Sequence, residues 1–155
     1  MSEILAYFLT WTTYGTWLPG DERCSVDRMH NAPDTDYVFP DSKRYEINQS
    51  RMTEPPLYLT PCQREIVEQS IREHCLHKNW NLIELNCRTN HIHVVLHASE
   101  VSPERAMSSL KAYATRGLRN AKAVDQVNTW TRHGSTRYIK IEESLTKAIE
   151  YVRGQ

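Results

Sequence analysis

Between Ile4 and Thr13 the chain runs ILAYFLTWTT, aromatic and β-branched with no Pro or Gly, a pattern that predicts a central strand. From Tyr14 to Leu59 Pro, Asp, Asn and Ser dominate, with a Pro19-Gly20-Asp21 turn and a Pro55-Pro56 stop. This predicts a long irregular insertion over 14–59. Such stretches are uncommon inside a small domain and tend to be functional loops or partly disordered. Thr60 can cap a helix with Pro61 at its first position, and Ile66, Val67, Ile71, Cys75 and Leu76 recur at helical spacing to about Lys78. Trp80–Cys87 and His91–His97 flank Arg88-Thr89-Asn90 and read as a hairpin. Ser102-Pro103-Glu104 starts a second helix whose stripe is Met107, Leu110, Ala114, Leu118 and Ala121. A short strand over Thr136–Ile141 and a closing helix over Glu142–Val152, apolar at Leu145, Ile149 and Val152, complete the series.

Strand, helix, strand, strand, helix, strand is the split βαβ order. The expected fold is therefore α+β and ferredoxin-like, βαββαβ, with an antiparallel sheet, the insertion after the first strand and an extra C-terminal helix. The helices should cover one sheet face. Strand alternation puts His91, His93, Val95 and His97 together on one side. The length of 155 residues suits one domain spanning 1–155.

Composition narrows this further. No apolar run approaches the roughly 20 residues needed to cross a bilayer, and no secretory leader is evident, so a cytoplasmic protein without a membrane partner is expected. Cys24, Cys62, Cys75 and Cys87 form no C-x-x-C pair, which argues against a zinc knuckle or a disulfide scaffold. Lys plus Arg and Asp plus Glu number 19 each, yet from Glu104 to Lys140 eight basic residues face only Glu104 and Asp125. A local basic surface of that kind can collect phosphates on a neutral molecule.

In His91-Ile92-His93 two imidazoles lie on one strand face with roughly 6 to 7 Å between Cα atoms, so they can share a cation. The setting sharpens this pair: Asn90-His91-Ile92-His93-Val94-Val95-Leu96 follows a strand and turn, and Leu110-Lys111-Ala112-Tyr113-Ala114-Thr115 follows on a helix. The combination resembles the HUH single-tyrosine transposases (IS200-like), in which U is a bulky apolar residue, and among them the REP-associated tyrosine transposases. Over most of the chain outside the insertion, the order of elements matches. The resemblance implies a divalent ion, Mg²⁺ or Mn²⁺, on His91 and His93, and Tyr113 as the nucleophile that nicks and rejoins DNA through a 5′-phosphotyrosine. It further implies single-stranded or hairpin DNA as partner, and allows a homodimer that exchanges the tyrosine helix.

A polar third ligand is expected one turn beyond the tyrosine, but the residue one turn after Tyr113 is Gly117. Asn120 is the nearest substitute, with Glu84 or Asn86 on the neighbouring strand as other choices. Lys111, Arg116 and Arg119 on the same helix could neutralise phosphates. Tyr14 and Trp17, in an aromatic block after the first strand, could stack on bases. Arg132 and Arg137, in the segment Trp130–Tyr138, could line the DNA groove.

His74 and His77 suit the end of a helix and read as structural. Two further readings compete. His97-Ala98-Ser99 and His133-Gly134-Ser135 match the paired motifs of two-histidine phosphoesterases, and Gly117 leaves room for a catalytically silent relative that only binds nucleic acid.

Overall fold

A computed structural model of the chain describes residues 3–16 and 41–155. Among them, β1 (Ala6–Thr12), α1 (Ser42–Ser50), α2 (Pro61–Lys78), β2 (Asn81–Cys87), β3 (His91–His97), α3 (Pro103–Asn120), β4 (Ser135–Ile139) and α4 (Glu142–Arg153) follow in order. The strands form one sheet in the order β2-β3-β1-β4, antiparallel throughout. This is the expected ferredoxin-like α+β arrangement.

Strand parity decides what each face does. On β3, Ile92, Val94 and Leu96 point the same way as Tyr7, Leu9 and Trp11 of β1, into a core closed by Val67, Ile71 and Cys75 of α2 and Leu110, Ala114 and Leu118 of α3. Both helices start as their sequences predict. Thr60 and Gln63 form a reciprocal capping box on α2, and Ser102 accepts from Arg105 N on α3. The two helices approach closely at Gly117, where a Cβ would lie 2.1 Å from Ser70 Oγ. The glycine leaves room for the Ser70 hydroxyl between the helices, and a Cβ there would need that hydroxyl to turn away. Cys75 and Cys87 are buried and unpaired, and burial pushes their thiols up to about 11 and about 12.

Two expectations are corrected. The helices do not share one face: α4 lies on the opposite side, where Ala148 and Val152 pack on Ala6, Val95 and Ile139 in a second, smaller core. The insertion is not wholly irregular either. It contains α1, capped by Asp41, which accepts from Lys43 N and Arg44 N at 3.1 Å each. That helix buries no residue, so it carries no apolar stripe for a periodicity reading to detect. After it, Leu57 N donates to Tyr14 O at 2.9 Å, and the Glu54 carboxylate accepts from Asn128 N and Val127 N. These bonds dock the end of the insertion beside β1 and the loop before β4. Trp17, with the rest of 17–40, lies outside the described residues.

Candidate active site

Because Ile92 and Val94 belong to the helix-covered core, His91 and His93 project from the other side of the sheet, with a centroid separation of 4.8 Å between their rings. His93 is 5% exposed, and burial, then the neighbouring His91, holds its imidazole down at about 4. Burial and Arg88 also lower His91, while a hydrogen bond from its ring to the Gln155 side-chain oxygen opposes the shift. Both rings are thus neutral near pH 7 and able to offer a lone pair. Their Nδ1 atoms are occupied: that of His91 donates to Asn90 Oδ1 at 2.9 Å, and that of His93 lies 2.9 Å from Thr10 Oγ1. This makes Nε2 the ligand atom of each ring, that of His91 facing the Gln155 side chain, with the ring orientation set by the Nδ1 partner.

The side chains that join the pair come from α4. Tyr151 is 53% exposed, its ring standing edge-on to His93 at 5.4 Å between centroids and tilted against Phe8 at 6.0 Å. One helical turn later, Gln155 reaches His91. Among the described residues no three His, Cys, Asp or Glu side chains gather around a cation position, so a third protein donor has to be of another kind. The Gln155 amide oxygen meets that need. Two neutral imidazoles and an amide oxygen on one open face fit a divalent ion, with water completing the shell, and the imidazoles favour Mn²⁺ over Mg²⁺.

Tyr113 is not part of this group. It belongs to α3, on the other side of the sheet, where its ring stacks on His74 at 3.8 Å and Arg116 covers it at 4.9 Å from the ring centroid. A sheet separates it from the histidine pair, and no side-chain rotation carries it across. Asn120 ends the same helix, exposed, and shares its side of the sheet, so it is no third ligand. Glu84 and Asn86 do lie on the histidine side, but their polar atoms are engaged with α4: Glu84 Oε2 accepts from Arg153 Nε at 2.6 Å, and Asn86 Nδ2 donates to the carbonyls of Val152 and Gln155 at 2.9 and 3.2 Å.

The candidate DNA contacts also separate. Lys111 is buried beside the loop before β4, donating from Nζ to the carbonyls of Thr131 and His133 at 2.9 and 3.3 Å, and burial lowers its amine to about 8. It holds protein, not phosphate. Arg119 donates to Val127 O at 2.9 Å, on the α3 side with Arg116. Tyr14 accepts from Thr53 N through its hydroxyl at 3.0 Å. Arg137, opposite Phe8 in the β1–β4 register, is on the histidine side, and Arg132 is exposed in the loop leading to β4. His74 is 1% exposed and lies 2.6 Å from Ser109 Oγ through Nε2, as a structural histidine should.

Residues 56–155 match the profile of the family described as Transposase IS200 like. The chain belongs to that family. Membership agrees with the solved structures of similar fold. One, the REP-associated tyrosine transposase bound to a REP hairpin, superposes with a TM-score of 0.56 at 9% identity over 98% of this chain. The chain spans 66% of that protein's length. A transposase from Deinococcus radiodurans R1 aligns over all of this chain and 93% of its own, with a TM-score of 0.50 and 13% identity. No curated protein matches the sequence. No helix among the described residues is long and apolar enough to cross a membrane.

Proposed function

We propose that this transposase nicks and rejoins single-stranded DNA, with Tyr151 as nucleophile and His91, His93 and Gln155 as ligands of a divalent ion. The carrying observation is that Tyr151 on α4 and Gln155, four residues later and just past the helix end, meet His93 and His91 on one side of the sheet within a single chain. A bound Mn²⁺ or Mg²⁺ would polarise the scissile phosphate and offset its developing charge.

The protein's own groups supply position. Phe8 and His93 wall the Tyr151 ring beside the histidine pair, while its exposed edge stays open to a strand. Thr10 and Asn90 keep the two imidazoles aimed outward. In the reaction, Tyr151 Oη bonds to phosphorus and the P–O3′ bond breaks. The phenolic proton passes to solvent, and the leaving 3′-oxygen takes one up. The 5′-phosphotyrosine conserves the bond energy, so a 3′-hydroxyl can reverse the step and restore Tyr151. Arg137 and Arg132 are placed to meet backbone phosphates. Since one chain assembles the whole set, the chemistry does not need a dimer.

The rival phosphoesterase pair does not converge. His97 lies at the Ala6 end of β1 and His133 precedes the strand residue that meets Thr10, so at least about 13 Å of β1 separates them. Gly117, which favoured a silent relative, is accounted for by the contact with Ser70.

A covalent trapping assay tests the proposal. Protein with Mn²⁺ and a library of labelled single-stranded hairpin oligonucleotides should give an adduct that survives denaturation. Tyr151→Phe should remove it and Tyr113→Phe should not. An adduct that persists in Tyr151→Phe overturns the assignment.

A further inference from the structure

The segment that carries Tyr151 and Gln155 is attached weakly at one end and by a specific grip at the other. At its start, α4 has no side-chain cap and Ile141 is 58% exposed. Along its length only Ala148 and Val152 are buried. A helix leaves its last four carbonyls without intrahelical donors. Here Asn86 answers the carbonyl of Val152 in the last turn, and that of Gln155 just past the helix, from one amide nitrogen. Asn86 is also the registered neighbour of His93 across β2 and β3, and His93 is that of Thr10 across β3 and β1. One rung of the sheet thus carries the residue that orients a histidine, that histidine, and the residue that grips the nucleophile's helix.

We infer that Asn86 is a positioning residue for the proposed reaction: its amide ties the last turn of α4 to the sheet and so sets Tyr151 and Gln155 against His93 and His91. This rests on the site assigned above. Val152 follows Tyr151 directly and Gln155 is the third ligand itself, so the two gripped carbonyls bracket the two working side chains. Loss of the grip leaves a short helix end held by Val152 and by the Arg153–Glu84 pair. The Arg153 side chain is 70% exposed, so that pair holds less firmly than a buried donor would.

The test compares Asn86→Ala and Asn86→Asp with wild type. The second variant keeps the shape but replaces the donor with a carboxylate facing two carbonyls. Three quantities are read: hydrogen exchange of the amides over 151–155, the single-turnover rate of adduct formation at saturating Mn²⁺ on a cleavable hairpin oligonucleotide, and the melting temperature. Expected are at least tenfold faster exchange confined to the end of α4 and at least a tenfold slower adduct rate in both variants, with melting within a few degrees of wild type. Glu84→Gln should show the same changes at only two- to threefold. Exchange and rate within twofold of wild type in either Asn86 variant overturn the inference. So does a rate loss that merely follows a global fall in melting temperature. His91→Ala and Tyr151→Phe run alongside. If they retain Mn²⁺ binding and the adduct, the site assignment fails, and the exchange measurement still decides whether Asn86 grips α4.

Discussion

Tyr151 stands edge-on to His93 at 5.4 Å between ring centroids, although 57 residues of chain, including α3 and β4, lie between them in sequence. Tyr113, far nearer in sequence, is on the wrong side. Replacing each tyrosine by phenylalanine separates the two roles. Tyr151→Phe should eliminate the covalent DNA adduct on a denaturing gel. Tyr113→Phe keeps the ring that stacks on His74 and should retain most of the adduct, with stability changed by no more than about 1 kcal/mol.

The ligand assignment separates in the same way. His91→Ala and Gln155→Ala should weaken Mn²⁺ binding, followed by electron paramagnetic resonance, by at least about tenfold. Asn120→Ala, on the far side of the sheet, should leave it unchanged.

Acid should weaken the metal-free fold through His93. The unfolded imidazole takes up a proton near pH 6.5, the folded one only near 4. Stability is therefore whole above 6.5, falls as pH drops from 6.5 to 4, and levels off below. The loss from this one residue is about 3 kcal/mol. Chemical denaturation across that range should show a shallower decline in His93→Gln than in wild type.

Lys111 gives the opposite dependence in alkali. Its folded pKa of about 8 lies below the usual 10.5, so the cost of burying the charge is present below pH 8 and is relieved between 8 and 10.5. Over that interval the stability of wild type should rise relative to Lys111→Met, a difference that cancels the thiols and phenols common to both. DNA affinity and its salt dependence should not change in the variant, since the amine faces carbonyls.

Gly134 lies where the loop before β4 crosses β1. A Cβ there would sit 2.5 Å from Thr10 O and 2.8 Å from Met107 Sδ. Gly134→Ala should cost about 1–3 kcal/mol in denaturant unfolding. Because the displaced strand carries Thr10, it should also weaken Mn²⁺ binding.

Much of the fold was legible because its signals are local. Thr60-Pro61 and Ser102-Pro103 announce the helix starts, and alternation in β3 announces the paired histidines. What failed was the assignment of sides. Right-handed crossovers put α2 and α3 on one face, and the run Ile92, Val94, Leu96 already marks that face as core, so His91 and His93 had to point away from any residue of α3. Read together, those two facts exclude Tyr113. The sequence also holds the missing pair in plain spacing, Tyr151 and Gln155 four residues apart, with the polar residue one turn past the tyrosine that Gly117 could not supply. They were passed over because only the apolar stripe of α4 was read. Asn86 is legible as a polar residue on the strand next to the histidines and so as a candidate third ligand, but its choice of the Val152 and Gln155 carbonyls depends on where α4 docks, which no local pattern encodes. The helix within the insertion buries nothing and so left no stripe to find.

The strand His91–His97 does two jobs with alternate residues. That arrangement sets what the protein can tolerate during its divergence. A residue added to the turn at 88–90 lengthens a loop, whereas one added inside the strand would turn imidazoles into the core and aliphatic chains onto the opposite face at a stroke. Loops and helix surfaces are free to drift, while this strand can change only by substitution.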